Sequence, residues 1–370
     1  MKIVHKALTI SGVFFAALLF VAGLTGSLLA FYNEIDEMLN PAFYHVEVTG
    51  DLLPPPVLIE KLEQAKPEIL VWYLQYPKNP GETAMMTAQP LANEAGNYPD
   101  IPSDVFYMNP YTAQIVGEKF WGRCCFEPGN LLNFLYEIHH SLKDGSWGGY
   151  FMGMAAMALL INCLWVLFGG GRKPGFGGWA FLIPTRNRVV GMVLALLLLP
   201  VAVSSIALNL TTEVFKPLVS VFSPVAPSIY EEYAKKNPSD SGSRVLSYDD
   251  AYQLAQKTGR EHGWTGPVAE LFYSSSYNFY GMAFGYRDPD GMGNNWIYLD
   301  GVDGRPVGSK RPREGSAGDT LFYAQLPIHS GRIAGLPSKI LIAALGLLIA
   351  VLAARYIFIK ARCLLRGSPA

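Results

Sequence analysis

The sequence predicts a membrane α-helical bundle of four transmembrane helices that carries α+β modules outside the bilayer. Three observations lead there. Half of the 370 residues are hydrophobic and only 16% are charged, a balance too apolar for an ordinary soluble domain. Four runs of about 20 uncharged residues occur, each long enough at about 1.5 Å per residue to cross a hydrocarbon core of about 30 Å. The two long segments left between those runs hold all 30 acidic residues.

The expected spans are 7–31, 148–168, 189–210 and 340–359, and the single charge inside them, Arg355, is near enough to an end to snorkel. Their flanks carry Lys2, Lys6, Arg172, Lys173, Arg186, Arg188, Lys360, Arg362 and Arg366, with no Asp or Glu among them. Basic residues favour the cytoplasmic side. The N-terminus, the short loop 169–188 and the tail 360–370 are therefore expected inside, and segments 32–147 and 211–339 outside, which in a bacterium is the periplasm. The first apolar run is longer than a signal h-region, and Leu28-Leu29-Ala30 lacks a small residue at the upstream cleavage position, so a retained anchor is expected. A net charge of −1 and the absence of a Lys/Arg block argue against nucleic-acid binding.

The two outer segments contain a repeat. Phe106-Tyr-Met-Asn-Pro-Tyr-Thr-Ala-Gln-Ile-Val-Gly117 aligns without gaps on Ile297-Tyr-Leu-Asp-Gly-Val-Asp-Gly-Arg-Pro-Val-Gly308. An aromatic strand, an Asn/Asp turn and a return strand form a β-hairpin signature, because Asn, Asp, Pro and Gly tolerate or pre-set turn dihedrals. Helix-like stretches precede both hairpins, at 56–65 and 248–261, the second with Ser247 and Asp250 as a capping pair. The expectation is helix plus antiparallel sheet, twice.

Cysteine supplies no disulfide framework. Cys163 lies in a span and Cys363 in the tail, and adjacency makes an ordinary bridge between Cys124 and Cys125 geometrically poor. Histidine is more informative. Of six, His5 precedes the first span, His139 and His140 precede the second and His329 precedes the fourth, which puts the last three on the outer face. Two imidazoles from different helices can close a six-coordinate haem iron suited to one-electron transfer, although spacing alone leaves haem, copper and zinc open. His45 and His262 lie deep in the outer segments with no metal-site spacing. The Gly-rich stretch 169–178 lacks the Lys-Ser/Thr of a phosphate loop and reads as a flexible connection.

Several phrases together resemble the PepSY-associated transmembrane family: Gly23-Leu-Thr-Gly through Asn40-Pro41, Phe134-Leu-Tyr-Glu-Ile-His-His-Ser-Leu142, Val203-Ser-Ser-Ile-Ala-Leu-Asn209 and Ile328-His-Ser-Gly-Arg-Ile-Ala-Gly335. That family includes inner-membrane ferric-siderophore reductases. The resemblance implies a four-helix haem b part with periplasmic PepSY-type modules, with ligands falling on His139 and His329 at the periplasmic face and on His5 at the cytoplasmic one. His140 is then a substitute ligand or a hydrogen-bonding neighbour. One position departs from the family pattern, since Asn187 stands where the third helix usually carries a ligand His. One haem is expected, and two only if another residue replaces that ligand.

The function so implied is electron transfer to a periplasmic ferric siderophore from an unknown donor, with the lipid bilayer as the surrounding partner and no nucleic acid. Trp121 and Trp147 are expected as interface anchors. The competing reading is a non-enzymatic membrane scaffold or binding protein for a peptide, protease or partner subunit, which the broken position at Asn187 favours. A third is metal transfer without redox through Cys124, Cys125 and methionines.

Overall fold

This computed structural model describes residues 2–93, 96–125, 127–169, 182–183, 187–236, 244–264, 266–285, 291–312 and 314–365, with backbone only for 2–6, 234–236 and 363–365. In chain order the elements are α1 (Lys2–Leu29), α2 (Tyr32–Leu39), α3 (Pro41–Tyr44), α4 (Pro55–Ala65), β1 (Ile69–Gln75), β2 (Ala84–Pro90), β3 (Val105–Met108), β4 (Ile115–Lys119), α5 (Leu131–Ser141) and α6 (Gly145–Phe168). There follow α7 (Arg188–Asn209), α8 (Lys216–Ser220), α9 (Ile229–Lys236), α10 (Tyr248–Glu261), β5 (Val268–Ser274), β6 (Phe279–Phe284), β7 (Asn295–Asp300), β8 (Pro306–Lys310), α11 (Ala317–Ser330) and α12 (Leu336–Leu365).

Among the described residues four helices, α1, α6, α7 and α12, are long and apolar enough to cross a membrane. Of these, α6 starts earlier than expected, at Gly145, and α12 starts earlier, at Leu336, and runs on to Leu365, while α7 covers Arg188–Asn209 and stops one residue short of the expected Leu210. The first stops at Leu29, short of the expected Phe31, where the chain turns into α2. Small residues set the closest crossing. A Cβ on Gly23 of α1 would strike the Gly346 carbonyl of α12, and one on Gly346 would come within 2.6 Å of Ser27 Oγ. Without side chains between them, the two backbones gain close packing, which drives helix association where lipid is as apolar as leucine. The bundle core joins Ala16 and Leu19 of α1, Ala155 and Leu159 of α6, Ala195 and Leu198 of α7, and Ile349 and Ala353 of α12. Leu182 and Ile183, between α6 and α7, are buried in it, and Leu182 N donates to Asn162 Oδ1 at 3.1 Å. The Gly-rich residues 170–178 and the basic residues Arg172, Lys173, Arg186 and Arg366 lie outside the described residues.

The two outer segments build one sheet rather than two. Its order is β4-β3-β2-β1-β5-β6-β7-β8, antiparallel throughout, and the halves meet where Tyr73 of β1 pairs with Phe272 of β5. Each half is a helix followed by four strands. Within the halves the expected repeat holds residue by residue: Tyr107 pairs with Gly117 as Tyr298 pairs with Gly308, and each ladder shifts register at the next residue. The turns match too. Asn109 Oδ1 accepts from Tyr111 N at 2.9 Å, and Asp300 Oδ1 from Val302 N at 2.8 Å.

Helices α4 and α10 cover one sheet face, where Leu58, Ile59 and Leu62 meet Tyr248, Ala251 and the strand residues Val71, Met86, Leu271 and Met282 in a single core. α10 begins as expected, with Ser247 Oγ accepting from Asp250 N. Arg244 spans the halves, donating to both carboxylate oxygens of Glu63 at 3.1 and 2.9 Å. On the other face, α3 places Phe43 against Tyr107, and α9 places Tyr233 against Phe279. A buried ion pair, Lys119 Nζ to Asp36 Oδ2 at 2.8 Å, ties β4 to the segment leaving α1. The sulfurs of the adjacent Cys124 and Cys125 lie next to each other.

Candidate functional site

The site lies where α5 and α11 end against the sheet-side ends of the long helices. α11 starts from a capping box between Ser316 and Asp319 and stops at Gly331, whose φ of 74° an L side chain would resist. His329 therefore sits in its last turn. His139 occupies the last turn of α5, which ends at Leu142 in the left-handed region. The two rings face one another with centroids 5.9 Å apart and planes 45° apart.

Each ring is held by a hydroxyl from a different long helix. Thr25 Oγ1 of α1 lies 3.0 Å from His139 Nδ1, and Ser204 Oγ of α7 lies 3.1 Å from His329 Nδ1, with Ser205 Oγ at 3.5 Å. Gly26 leaves room for the His139 ring, since a Cβ there would come within 2.8 Å of His139 Cε1. With Nδ1 engaged on both sides, Nε2 is the nitrogen left for a ligand. Loss of water pushes both imidazoles down, His139 to about 3, with the facing His329 adding to burial, and His329 to about 4. Both are thus neutral at neutral pH, the state that donates to a metal.

The ring spacing is compatible with a metal held between the two imidazoles. Metal–nitrogen bonds of about 2 Å on each side, with each ring centroid roughly 1 Å behind its nitrogen, put the centroids about 6 Å apart, close to the spacing found. Among the described residues no group of three or more His, Cys, Asp or Glu is placed to hold a metal ion. Two imidazoles alone under-coordinate zinc or copper. They suffice for an iron whose remaining ligands come from a macrocycle, and the residues fit such a group.

The other expected residues are placed as follows. His140 turns away, exposed, and stacks on Tyr136 with centroids 5.8 Å apart. The side chain of His5 lies outside the described residues. Asn187 caps α7, its Oδ1 accepting from Val189 N at 3.1 Å and Val190 N at 3.3 Å. His45 bonds Glu37 at 2.6 Å, and His262 stacks on Trp264. Trp121 donates to Glu137, and Trp147 is 69% exposed at the start of α6. Thr25, Ser204 and Ser205 were not singled out from the sequence as site residues. The available signal was a hydroxyl inside an apolar span, facing the bundle.

The chain matches the family described as the PepSY-associated TM region over residues 9–355. It belongs to that family. No curated protein matches it. Family membership accords with the four membrane-length helices.

Proposed function

We infer that this family member is a haem b protein of the bacterial inner membrane that reduces a ferric siderophore on the periplasmic side. The observation that carries the reading is the His139–His329 pair, two neutral imidazoles from different helices whose ring centroids lie 5.9 Å apart. His139 and His329 would hold the iron. Thr25 and Ser204 fix the tautomer and the ring orientation, and Gly26 lets the His139 ring lie against α1. Bound haem b would supply reversible one-electron transfer. One electron, drawn from a donor outside this chain, converts the chelated ferric ion to the ferrous ion, which a siderophore holds more weakly.

The unopposed basic flanks support cytoplasmic chain ends and a periplasmic sheet. Reporter fusions at Asn97 and after Ala370 test that arrangement, and are expected to report periplasm and cytoplasm. The decisive experiment is a reduced-minus-oxidised spectrum of the purified chain with haem counted per protein. A b-type spectrum is expected. A chain that purifies folded but without haem overturns the reading in favour of a non-enzymatic scaffold or binding protein for a peptide, protease or partner subunit.

A further inference from the structure

Between the sheet face that carries Tyr73 and Trp296 and the ends of α7 and α11 lies a cleft of about 590 Å³, within the range of small-molecule sites. Its lining includes three basic residues, Lys78, Lys310 and Arg332, against one carboxylate, Glu270. That carboxylate is already occupied, accepting from Tyr73 Oη at 2.8 Å and from Asn294 Nδ2 at 3.1 Å. Among the described residues of the lining the formal balance is positive. Aromatic rings are the other main component: Trp296, Tyr323 and Phe322 line the cleft, and Lys310 Nζ stands 3.6 Å over the Tyr323 ring. The lining therefore combines cations with π faces, a surface suited to a ligand that is both negatively charged and aromatic.

The cleft adjoins the histidine pair. Ala207 and Leu208, which line it, follow Ser204 and Ser205 on α7 by one helical turn, and those serines touch His329. Gln325 and Leu326 line it one turn before His329 on α11. A helical turn is about 5.4 Å, so a molecule in the cleft sits close to the His329 ring, on its outer side.

We propose that this cleft is the chelate-binding site and that it selects anionic catecholate complexes over neutral hydroxamate ones. The proposal rests on the siderophore reading for its ligand class, and on the cleft alone for its preference. A ferric tris-catecholate is a trianion with three aromatic rings, matching the excess of cations and the rings of the lining. A ferric tris-hydroxamate offers neither a comparable charge nor an aryl face.

The test uses gallium(III), which takes the same ligands as ferric ion but is not reduced, so that binding is read without electron transfer. Isothermal titration calorimetry of the full chain in lipid nanodiscs with the gallium complex of a hexadentate tris-catecholate is expected to show binding at least ten-fold tighter than with that of a hexadentate tris-hydroxamate. Lys310→Gln and Arg332→Gln should each weaken the catecholate complex about ten-fold or more. Lys310→Arg, which keeps the charge, should retain it, separating loss of charge from loss of fold. Equal affinity for the two complexes, no binding of either, or unchanged affinity in both glutamine variants overturns the proposal. Catecholate binding by a chain that carries no haem would leave the cleft assignment standing while removing the reductase reading, and a haem-loaded chain that binds neither complex would do the reverse.

Discussion

Thr25 Oγ1 lies 3.0 Å from His139 Nδ1, and the same contact recurs across the site between Ser204 Oγ and His329 Nδ1 at 3.1 Å. Four helices thus contribute in two pairs, α1 with α5 and α7 with α11, each pair supplying one imidazole and the hydroxyl that orients it. Thr25 Oγ1 also donates to the Val21 carbonyl at 2.7 Å, and Ser204 Oγ to the Val201 carbonyl at 3.1 Å. With those protons spent inside the helices, each hydroxyl is left to accept from the imidazole N–H, which makes Nε2 the lone-pair nitrogen.

Removing that acceptor should loosen the site without dismantling the bundle. Thr25→Val, nearly isosteric, and the double change Ser204→Ala with Ser205→Ala are each expected to weaken haem binding by about 10- to 100-fold, the usual effect of losing a group that orients a metal ligand. Titration of haem into the apoprotein measures this, with circular dichroism to show that helix content is unchanged. Wild-type affinity in both variants would show that the hydroxyls do not orient the ligands.

His139→Ala and His329→Ala should each abolish most of the bound haem, since a closed two-imidazole centre needs both. His140→Ala should not, because that ring stacks on Tyr136 at the surface. His45→Ala and His262→Ala should also leave the absorbance per protein unchanged, as those rings bond Glu37 and stack on Trp264. Loss of haem in His140→Ala with retention in His139→Ala would move the ligand by one residue.

The apoprotein should lose stability on acidification in a defined window. In the unfolded chain both histidines protonate near 6.5, whereas burial holds His329 down to about 4 and His139 to about 3 in the folded chain. Between those limits the unfolded state binds more protons, so stability falls as pH falls from about 6.5 to about 4, and for His139 on to about 3. Each group contributes a slope of at most about 1.4 kcal/mol per pH unit. Replacing both with Phe should flatten the dependence of the thermal midpoint on pH, and an unchanged slope would show that these rings do not titrate on unfolding.

The hairpin turns give a test of the repeat. Ala113 and Gly304 occupy equivalent positions and share positive φ, 57° and 72°. Gly304→Ala should cost about 1–2 kcal/mol for the left-handed backbone, and more because its Cβ would strike Leu254. Ala113→Gly should relieve about 1–2 kcal/mol of left-handed strain in the first half, offset by about 0.5–1 kcal/mol of added chain entropy, for a small net stabilisation. Thermal unfolding reads both, and a stabilised Gly304→Ala or a destabilised Ala113→Gly would mean that the two turns are not equivalent.

How much of this was legible depends on the range of the interactions. The spans were visible because apolar length is a local property, and the hairpins because Asn109 and Asp300 each close an Asx turn with a residue two positions on. The junction of the two half-sheets was not visible. Tyr73 and Phe272 pair across most of the chain, and nothing in either strand's own sequence names its partner. The histidines stood out as rare residues at the ends of apolar spans. Thr25 and Ser204 did not, because a hydroxyl in a membrane helix usually bonds its own backbone, as both of these also do.

Asn187 bears most directly on cofactor count. Its amide oxygen accepts from two backbone N–H groups at the start of α7, so the residue that stands where the resemblance expects a ligand is spent on capping, worth about 1 kcal/mol. A neutral amide is in any case a weak donor to iron, and one haem per chain is the expected stoichiometry. Asn187→Asp keeps a capping oxygen and should leave that count unchanged. Asn187→His removes the cap but restores an imidazole on the side of the bundle where the sequence places His5; it should raise haem content toward two, or convert a weak high-spin signal to a low-spin one. Two tightly bound low-spin haems in the unmodified protein would show that another residue already serves as the ligand, and the single-haem reading would fall.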